Sequence, residues 1–434
     1  MRNRMTTLVL VAGMLVLGAG LAQGAGFNIY EANSKATAMG CAFTATADDG
    51  SAVFYNVAGL SFQVGQSADL NAVAVMPKFT FTGKMSTNPN EESSTWESKD
   101  KTFLVPGAYY TNNPGNKIAF GVGVYAPFGL GVVWDKGDEW IGRQASYDVS
   151  IQTVYVTPAA SYLVSEQLAL GLGVDLAHQS LELNRYTLEP TFGENAIDTE
   201  ITGSSSWNVT PVFGLMYRPG EKLSLGANYH FKKTMKFDEG EAFLQPVAPG
   251  DDPWGNALVD GLGGSDQEAT AELNLPDILQ LGIAYRFSPK FRGEFNYVWF
   301  GWSTFESLAL DFENDALDQE IHFNYEDSWQ IRFGFDYAVH QDWNLMAGFV
   351  HDRTPQPLES VSPILPDTDR NDYSFGVLYK YKTWEFNVSY MYVHNQERTN
   401  IDDEGNPVRG STTYPIGSYK AHAHLAGFGA TLRF

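Results

Sequence analysis

Apolar residues alternate with polar or small residues along most of the chain. One segment shows the alternation over seven positions, namely Leu279, Gln280, Leu281, Gly282, Ile283, Ala284 and Tyr285. Successive side chains of a β-strand point to opposite faces, so the pattern predicts strands with one apolar face. Similar segments recur from residue 66 to Phe434. They predict about fourteen strands, each of ~9 or more residues.

The alternation fits two all-β folds. In a soluble sandwich, the apolar face forms the core and the polar face meets water. In a transmembrane antiparallel β-barrel, the apolar face meets lipid and the polar face lines the lumen. The alternation alone leaves both folds open.

The end of the chain favours the barrel. Phe428, Leu432 and Phe434 lie on one face of the last segment, and Thr431 and Arg433 lie on the other. An apolar strand that ends on an aromatic residue resembles the closing strand of a bacterial outer-membrane barrel. Such a strand pairs with the first one, so that no backbone edge meets lipid.

The beginning of the chain predicts export. Arg2 and Arg4 precede an apolar run at residues 8–21, and small residues follow at Ala22 and Gly24. This pattern predicts a signal peptide at residues 1–24, with the mature chain starting at Ala25. The run is shorter than the ~20 residues of a transmembrane helix. An exported chain without membrane helices is either soluble or a barrel.

Composition agrees with the barrel. The chain is 44% hydrophobic and 14% aromatic and contains 42 glycines, yet its mean hydropathy is −0.23. Transmembrane strands give this mixture, because only alternate residues touch lipid. The formal net charge of −23 argues against nucleic acid as a partner. The one cysteine, Cys41, cannot form an internal disulfide, and we expect no cofactor.

Connections of two lengths are typical of a barrel with a periplasmic and an external rim. Short turns include Lys382-Thr383. They alternate with long polar stretches, among them residues 128–147, 186–205, 238–268 and 352–370.

Residues 25–64 do not follow the strand pattern. The segment is rich in small residues and also contains Phe43, Phe54 and Tyr55, which are too apolar for a disordered tail. We therefore predict three parts: a signal peptide at 1–24, an interior plug or hatch at 25–64, and a barrel at 65–434.

Several motifs resemble the FadL-type outer-membrane transporters of long-chain fatty acids and other hydrophobic compounds. They are AGFN at residues 25–28, ADDGSAVFYNVAGL at 47–60, YAPFGLG at 125–131, WIGR at 140–143, LPDILQLG at 275–282 and the terminal Phe434. The resemblance spans the mature chain. It departs at Asn56-Val57-Ala58, where the family usually has Asn-Pro-Ala, so the fixed φ of proline is lost.

The resemblance implies a passive outer-membrane transporter. Long-chain fatty acids or aromatic hydrocarbons would bind in an apolar pocket and leave through the barrel wall, at a kink in the third strand. Glycines inside a strand often mark a bend, and the matching strand, Ile118–Tyr125, contains two. The alternative is that they only make room for bulky neighbours. The candidate passage residues are Phe27, Asn56, Val57, Ala58, Gly121, Gly123 and Phe128.

The expected partners are a hydrophobic ligand, outer-membrane lipid and lipopolysaccharide, and we expect a monomer. Lys78, Arg185 and Arg332 are candidate partners for a fatty-acid carboxylate. A surface adhesin or receptor barrel is the alternative function, although an adhesin needs no plug.

An enzyme is not expected. The chain has neither a Gly-x-Ser-x-Gly elbow nor a phosphate loop. His422 and His424 share a strand face but lack an evident third ligand, so we interpret them as interfacial residues rather than as a metal site.

Overall fold

The structure is a computed structural model that describes residues 26–84, 92–135, 140–188, 195–247, 253–401, 408 and 415–434. The predicted signal peptide and the predicted mature start at Ala25 lie outside the described residues. Within the described ranges, no helix is long and apolar enough to cross a membrane.

One antiparallel sheet contains all the strand segments of the described chain. In chain order they are β1 Gly65–Lys84, β2 Ser94–Glu97, β3 Phe103–Asn113, β4 Ile118–Tyr125, β5 Gly129–Val133, β6 Asp148–Ser165, β7 Leu168–Leu188, β8 Asn195–Ser204, β9 Asn208–Tyr217, β10 Leu223–His230, β11 Lys233–Pro246, β12 Asp266–Leu275, β13 Ile278–Ser288, β14 Phe291–Phe300, β15 Ser307–Phe312, β16 Gln319–His322, β17 Ser328–His340, β18 Trp343–Asp352, β19 Arg370–Tyr381, β20 Trp384–Asn395, β21 Arg398–Thr399 and β22 Ile416–Arg433.

These segments form a closed barrel of fourteen strands. Eight of the wall strands consist of two successive segments, for example β4 with β5. The barrel closes because β1 pairs with β22 continuously, from Ser67–Arg433 to Lys84–Ile416. The predicted fold class is therefore confirmed. The predicted loops 128–147 and 186–205 contain β5 and β8, because the wall continues further outward than the alternation indicated.

The direction of the side chains distinguishes the barrel from a soluble sandwich. On β13, Leu281 is 41% exposed and Ile283 45% exposed, whereas Gln280 and Ala284 on the other face are 1% and 4% exposed. The apolar face thus points outward and the polar face points into the lumen. This is the arrangement that lipid around the barrel requires.

Residues 26–64 fill the lumen. They contain the helices α1, Ser34–Ala38, and α2, Ala52–Tyr55, and a 3₁₀ helix, Val57–Phe62. Asn33 begins α1 as its N-cap, and its Oδ1 accepts hydrogen bonds from the backbone N–H groups of Lys35 and Ala36 at 2.7 and 3.3 Å. Outside the lumen segment lie α3, Pro253–Gly261, and short 3₁₀ helices at Trp302–Thr304, Asp315–Leu317 and Leu358–Ser360.

Glycines on the inner wall let the lumen segment pack directly against strand backbone. A Cβ at Gly348 would overlap the backbone of Gly40, and a Cβ at Gly226 would overlap the carbonyl of Thr44. Other strands place glycines against the same segment, namely Gly107, Gly171, Gly214, Gly282, Gly334, Gly376 and Gly427. Because only glycine permits such close backbone approach, these positions fix the lumen segment in the barrel.

Phe434 joins the two ends of the wall. Its backbone N–H and C=O both pair with Gln66 at 3.0 Å, and its ring is 59% exposed. Deletion of Phe434 is expected to lower the yield of folded, heat-modifiable barrel, measured by gel mobility of membrane fractions. The variant Phe434→Tyr keeps the ring and both backbone bonds and should assemble normally. Normal assembly of the deletion would contradict this role.

Candidate functional site

The third wall strand is interrupted. β4 ends at Tyr125 and β5 begins at Gly129, with Ala126, Pro127 and Phe128 between them. β4 pairs with β3 on one side, whereas the ladder of β5 joins it to β6 only, within the described residues. Pro127 has no N–H to donate to a neighbouring strand. The second and third strands therefore separate beyond Tyr125 and meet again at Val133, whose carbonyl accepts from the N–H of Lys99 at 2.7 Å.

The predicted position of the kink needs a correction. Gly121 and Gly123 lie in unbroken register with both β3 and β6. A Cβ at Gly121 would lie 2.9 Å from Val53 Cγ2, and one at Gly123 would lie 2.8 Å from Tyr109 Cδ1 and 3.1 Å from Val53 Cγ1. The two glycines make room for the lumen segment and for Tyr109. The break itself begins three residues beyond Gly123.

Residues 26–31, here called the N-terminal segment, lie against the break from inside. The N–H of Gly129 donates to the carbonyl of Phe27 at 2.8 Å, and the N–H of Ile29 donates to that of Pro127 at 2.7 Å. Asn28 and Phe128 are thereby opposite each other in an antiparallel bridge. The N-terminal segment thus provides hydrogen bonds that a continuous neighbouring strand would otherwise provide.

An apolar cavity lies directly behind the break. Its walls come from the lumen segment, six strand segments and three connections between strands. They are formed by Phe27, Leu130, Val149, Ile151, Leu181, Leu183, Leu273, Phe305, Leu308, Ile321, Phe323, Ile364 and Leu365. Phe27 packs on the ring of Trp302, with centroids 4.9 Å apart, and its ring centroid is 6.0 Å from that of Phe128. Phe27 therefore lies both in the break and in the cavity wall. Such a lining suits a hydrophobic ligand.

The predicted residues Asn56, Val57 and Ala58 lie elsewhere, where the lumen segment contacts strands β7, β9 and β10. Asn56 Nδ2 donates to the carbonyls of Thr44 and Leu215 at 2.9 and 3.0 Å. Its Oδ1 accepts from Ala58 N–H at 3.1 Å, and the N–H of Val57 donates to Asn228 Oδ1 at 3.3 Å. A proline at residue 57 would lack that N–H. With valine instead of proline at residue 57, φ is not fixed by a ring, but the N–H forms a hydrogen bond to the barrel wall.

The three cationic candidates have different environments. Lys78 Nζ lies 3.2 Å from Glu97 and 3.0 Å from Asp100, away from the cavity. Arg332 is 1% exposed and lies over the ring of Tyr30. Arg185 continues the inner face of β7 beyond Leu181 and Leu183, which line the cavity.

Among the described residues, Arg185 is the candidate with no carboxylate nearby, whereas Arg332, which also forms no ion pair, interacts with the charges of Glu31 and Asp372. Its Nη1 donates to Gln319 Oε1 at the rim of the cavity, and its Nε has no hydrogen-bond partner in the described part of the chain. No carboxylate of the described residues forms an ion pair with it. Its charge is thus available to a ligand in the cavity. In the sequence, the alternation that places Leu181, Leu183 and Arg185 on one face of β7 was the signal for a cation beside the apolar lining.

Two acidic groups, one in the N-terminal segment and one beside it, are strongly buried. Burial raises the pKa of Glu31 to about 7, against the opposing positive charge of Arg370. Burial also raises the pKa of Asp367 to about 6, although a hydrogen bond from Thr354 and the charge of Arg370 oppose it. At neutral pH, Asp367 is therefore mainly ionised and accepts strong hydrogen bonds.

His422 and His424 lie exposed on the outer face of β22. The hydroxyl of Tyr390 is 2.7 Å from His424 Nδ1, and His422 is opposite Lys78. Both imidazoles thus belong to an outer polar and aromatic band. This arrangement agrees with interfacial residues.

The fold and site define a plugged outer-membrane barrel with an apolar cavity behind a break in its wall. Residues 15–434 match the family described as "Outer membrane protein transport protein (OMPP1/FadL/TodX)". The chain belongs to this family, as its motifs indicated, and is a bacterial outer-membrane β-barrel.

Relatives align with this chain over most of their length. The long-chain fatty acid transport protein of Salmonella typhi is 22% identical over 392 residues, which cover 86% of this chain and 88% of the relative. The structure of a Pseudomonas aeruginosa FadL homologue has a TM-score of 0.81 at 20% identity, covering 94% and 100% of the two chains. The Pseudomonas putida toluene transporter TodX has a TM-score of 0.68 at 16% identity, covering 96% and 100%. The two structures support the fold.

Proposed function

We propose that the protein takes up hydrophobic molecules passively across the outer membrane, by binding them in the apolar cavity and releasing them sideways into the bilayer. The observation that carries this proposal is the position of Phe27, which closes the wall break from inside and also lines the cavity. A ligand that moves Phe27 would uncover a path from the cavity into lipid. The named functions of the relatives, fatty-acid and toluene transport, agree with it.

The physical chemistry favours a sideways path. A hydrocarbon tail loses ~0.8 kcal/mol for each CH₂ group that returns to water. Movement from a dry cavity into membrane hydrocarbon avoids that loss, and it needs no coupled energy source. A water-filled pore would offer the tail no such gain.

Within this proposal the candidate residues have two roles. Phe27, from the lumen segment, and Phe128, from the wall, flank the release path, and both side chains are buried. Asn56, Val57 and Ala58 hold the lumen segment in place, and Gly121 and Gly123 accept it against β4. The latter five affect passage by positioning the plug rather than by touching the ligand.

Long-chain fatty acids are the substrate class that the cavity favours over aromatic hydrocarbons. A fatty acid has a carboxylate, which the unpaired Arg185 can bind at the rim while the tail fills the apolar lining. An aromatic hydrocarbon would use the lining alone. Binding of oleate and of toluene to the purified protein, measured in parallel, decides between the two.

Replacement of Arg185 by glutamine should weaken oleate binding about tenfold or more, since a hydrogen bond to a charged group contributes ~1.5–3 kcal/mol. Toluene binding should not change. The matched control is Lys78→Gln, which removes a cation that is already paired outside the cavity and should leave both ligands unaffected. Equal loss of oleate and toluene binding in Arg185→Gln would mean that the arginine only shapes the cavity.

The surroundings of the barrel follow from its outer face. We propose that it works as a monomer in outer-membrane lipid and lipopolysaccharide, because closure between β1 and β22 leaves no strand edge to pair with a second copy. An adhesin or receptor function has less support, since it would need neither the plug nor the cavity.

A further inference from the structure

The loop of residues 353–369, between β18 and β19, folds into the mouth of the barrel and is here called the inner loop. Val361 and Leu365 are 0% and 2% exposed, and Ile364 and Leu365 line the cavity. The loop therefore covers the long-loop side of the cavity. A hydrophobic molecule that arrives from outside must pass it.

The inner loop is held together as one body. Gln356 Nε2 donates to the carbonyls of Ser360 and Leu365, both at 2.9 Å, and its Oε1 accepts from the N–H of Asp367 at 3.0 Å. At the base of the loop, Arg370 Nη2 lies 2.8 Å from Asp352 Oδ2, with both side chains at most 2% exposed. Movement of this loop should thus be a movement of the whole loop.

The N-terminal segment is attached to the inner loop at one end and to the adjoining wall strand β19 at the other. At one end, the N–H of Gly26 donates to Asp367 Oδ2 at 3.0 Å, and Thr354 Oγ1 donates to the same oxygen at 2.6 Å. At the other end, Tyr30 donates its hydroxyl proton to Asp372 and accepts from Arg370 Nη2 at 2.9 Å. Between these two attachments, residues 27–29 occupy the wall break.

We propose that the inner loop and the wall break are coupled gates, joined by the N-terminal segment. While the loop is seated, its hydrogen bond with Gly26 and the β19 contacts of Tyr30 hold residues 27–29 in the break. When the loop lifts to admit a ligand, the segment loses its attachment at Gly26, and residues 26–29 leave the break while Tyr30 stays bound to β19. The inference rests on the proposed function only for the roles of the two gates, with entry at the loop and release at the break. The coupling itself does not depend on the ligand.

The coupling can be measured without transport. In a Cys41→Ser background, a reporter cysteine replaces either Ala126 in the break or Ile364 in the loop, which are 5% and 8% exposed. The rate of maleimide labelling of purified, heat-modifiable protein reports how often each site opens. Asp367→Ala, which removes the hydrogen bonds from Gly26 and Thr354, should raise both rates about tenfold or more, as expected for loss of buried hydrogen bonds.

Two variants serve as comparisons. Asp367→Asn keeps an oxygen that can accept from Gly26 and should raise both rates less than Asp367→Ala. Asp318→Ala removes a carboxylate that accepts from the N–H of Phe312 at 2.8 Å in another outer loop. It should change neither rate.

Faster labelling at residue 364 alone would show that the loop opens independently of the break and would overturn the coupling. Unchanged labelling at both sites would overturn it as well, because Asp367 would then stabilise neither the seated loop nor the N-terminal segment. Coupled labelling together with normal Asp367→Ala folding but no oleate uptake by the wild-type protein would instead contradict the proposed function and leave the coupling intact.

Discussion

Replacement of Gly348 by valine is expected to unseat the lumen segment and make the barrel leak ions. Gly348 lies on the inner face of β18, where the backbone of Gly40 fills the place of a side chain, and the N–H of Gly40 donates to Ser374 Oγ at 2.9 Å. Neither backbone can yield without breaking this bond or the strand ladder. Overpacking of this kind costs ~1–3 kcal/mol or more. Single-channel conductance in planar bilayers should rise several-fold, because the lumen behind the plug is polar.

The control is Gly220→Val, at a short turn where a Cβ would meet nothing within 4 Å. It adds the same side chain and should give the conductance of the unaltered protein. A second, stronger perturbation is deletion of residues 26–64, which should give the largest conductance of the series. Wild-type conductance in both Gly348→Val and the deletion would show that the lumen segment does not block the barrel.

The barrel could be predicted because its signals are local. Strand alternation, the terminal Phe434 and the connection lengths each depend on neighbouring residues, and they agreed with one another. The inner loop shows where a prediction from neighbouring residues alone fails. Residues 352–370 were predicted as a polar loop at the rim, yet Val361 and Leu365 are buried. The short apolar run that contains them was the signal for inward folding.

The site was harder to predict, because it is assembled from distant residues. Phe27, Leu183 and Ile364 meet in one cavity although more than 150 residues separate each from the next. No linear sequence motif indicates that these residues come together in the fold. The position of the break failed for a different reason: glycines in a strand serve both for bending and for close packing. Gly121 and Gly123 allow the plug to pack closely against the strand, whereas the break in the strand lies at Pro127.

A disulfide between residues 28 and 128 is expected to stop release of the ligand reversibly. Asn28 and Phe128 are opposite each other in the antiparallel bridge that closes the break. The flanking N–H groups of Ile29 and Gly129 make the hydrogen bonds, so this is a non-hydrogen-bonded pair. Such pairs have Cα atoms ~4.5 Å apart, within the ~4.4–6.8 Å of natural disulfides. The double variant Asn28→Cys, Phe128→Cys should therefore oxidise without moving the backbone.

Oxidised cells should take up labelled oleate at least about tenfold more slowly than reduced cells, because the N-terminal segment can no longer leave the break. Since Cys41 is the only natural cysteine and is fully buried, it should not interfere. The control pair, Ala74→Cys with Ala426→Cys, joins two strands that are already in continuous register. Its uptake should not respond to oxidation. If the 28–128 disulfide forms quantitatively and uptake continues at the reduced rate, the ligand does not leave through the break in the third strand, and release must occur elsewhere along the barrel.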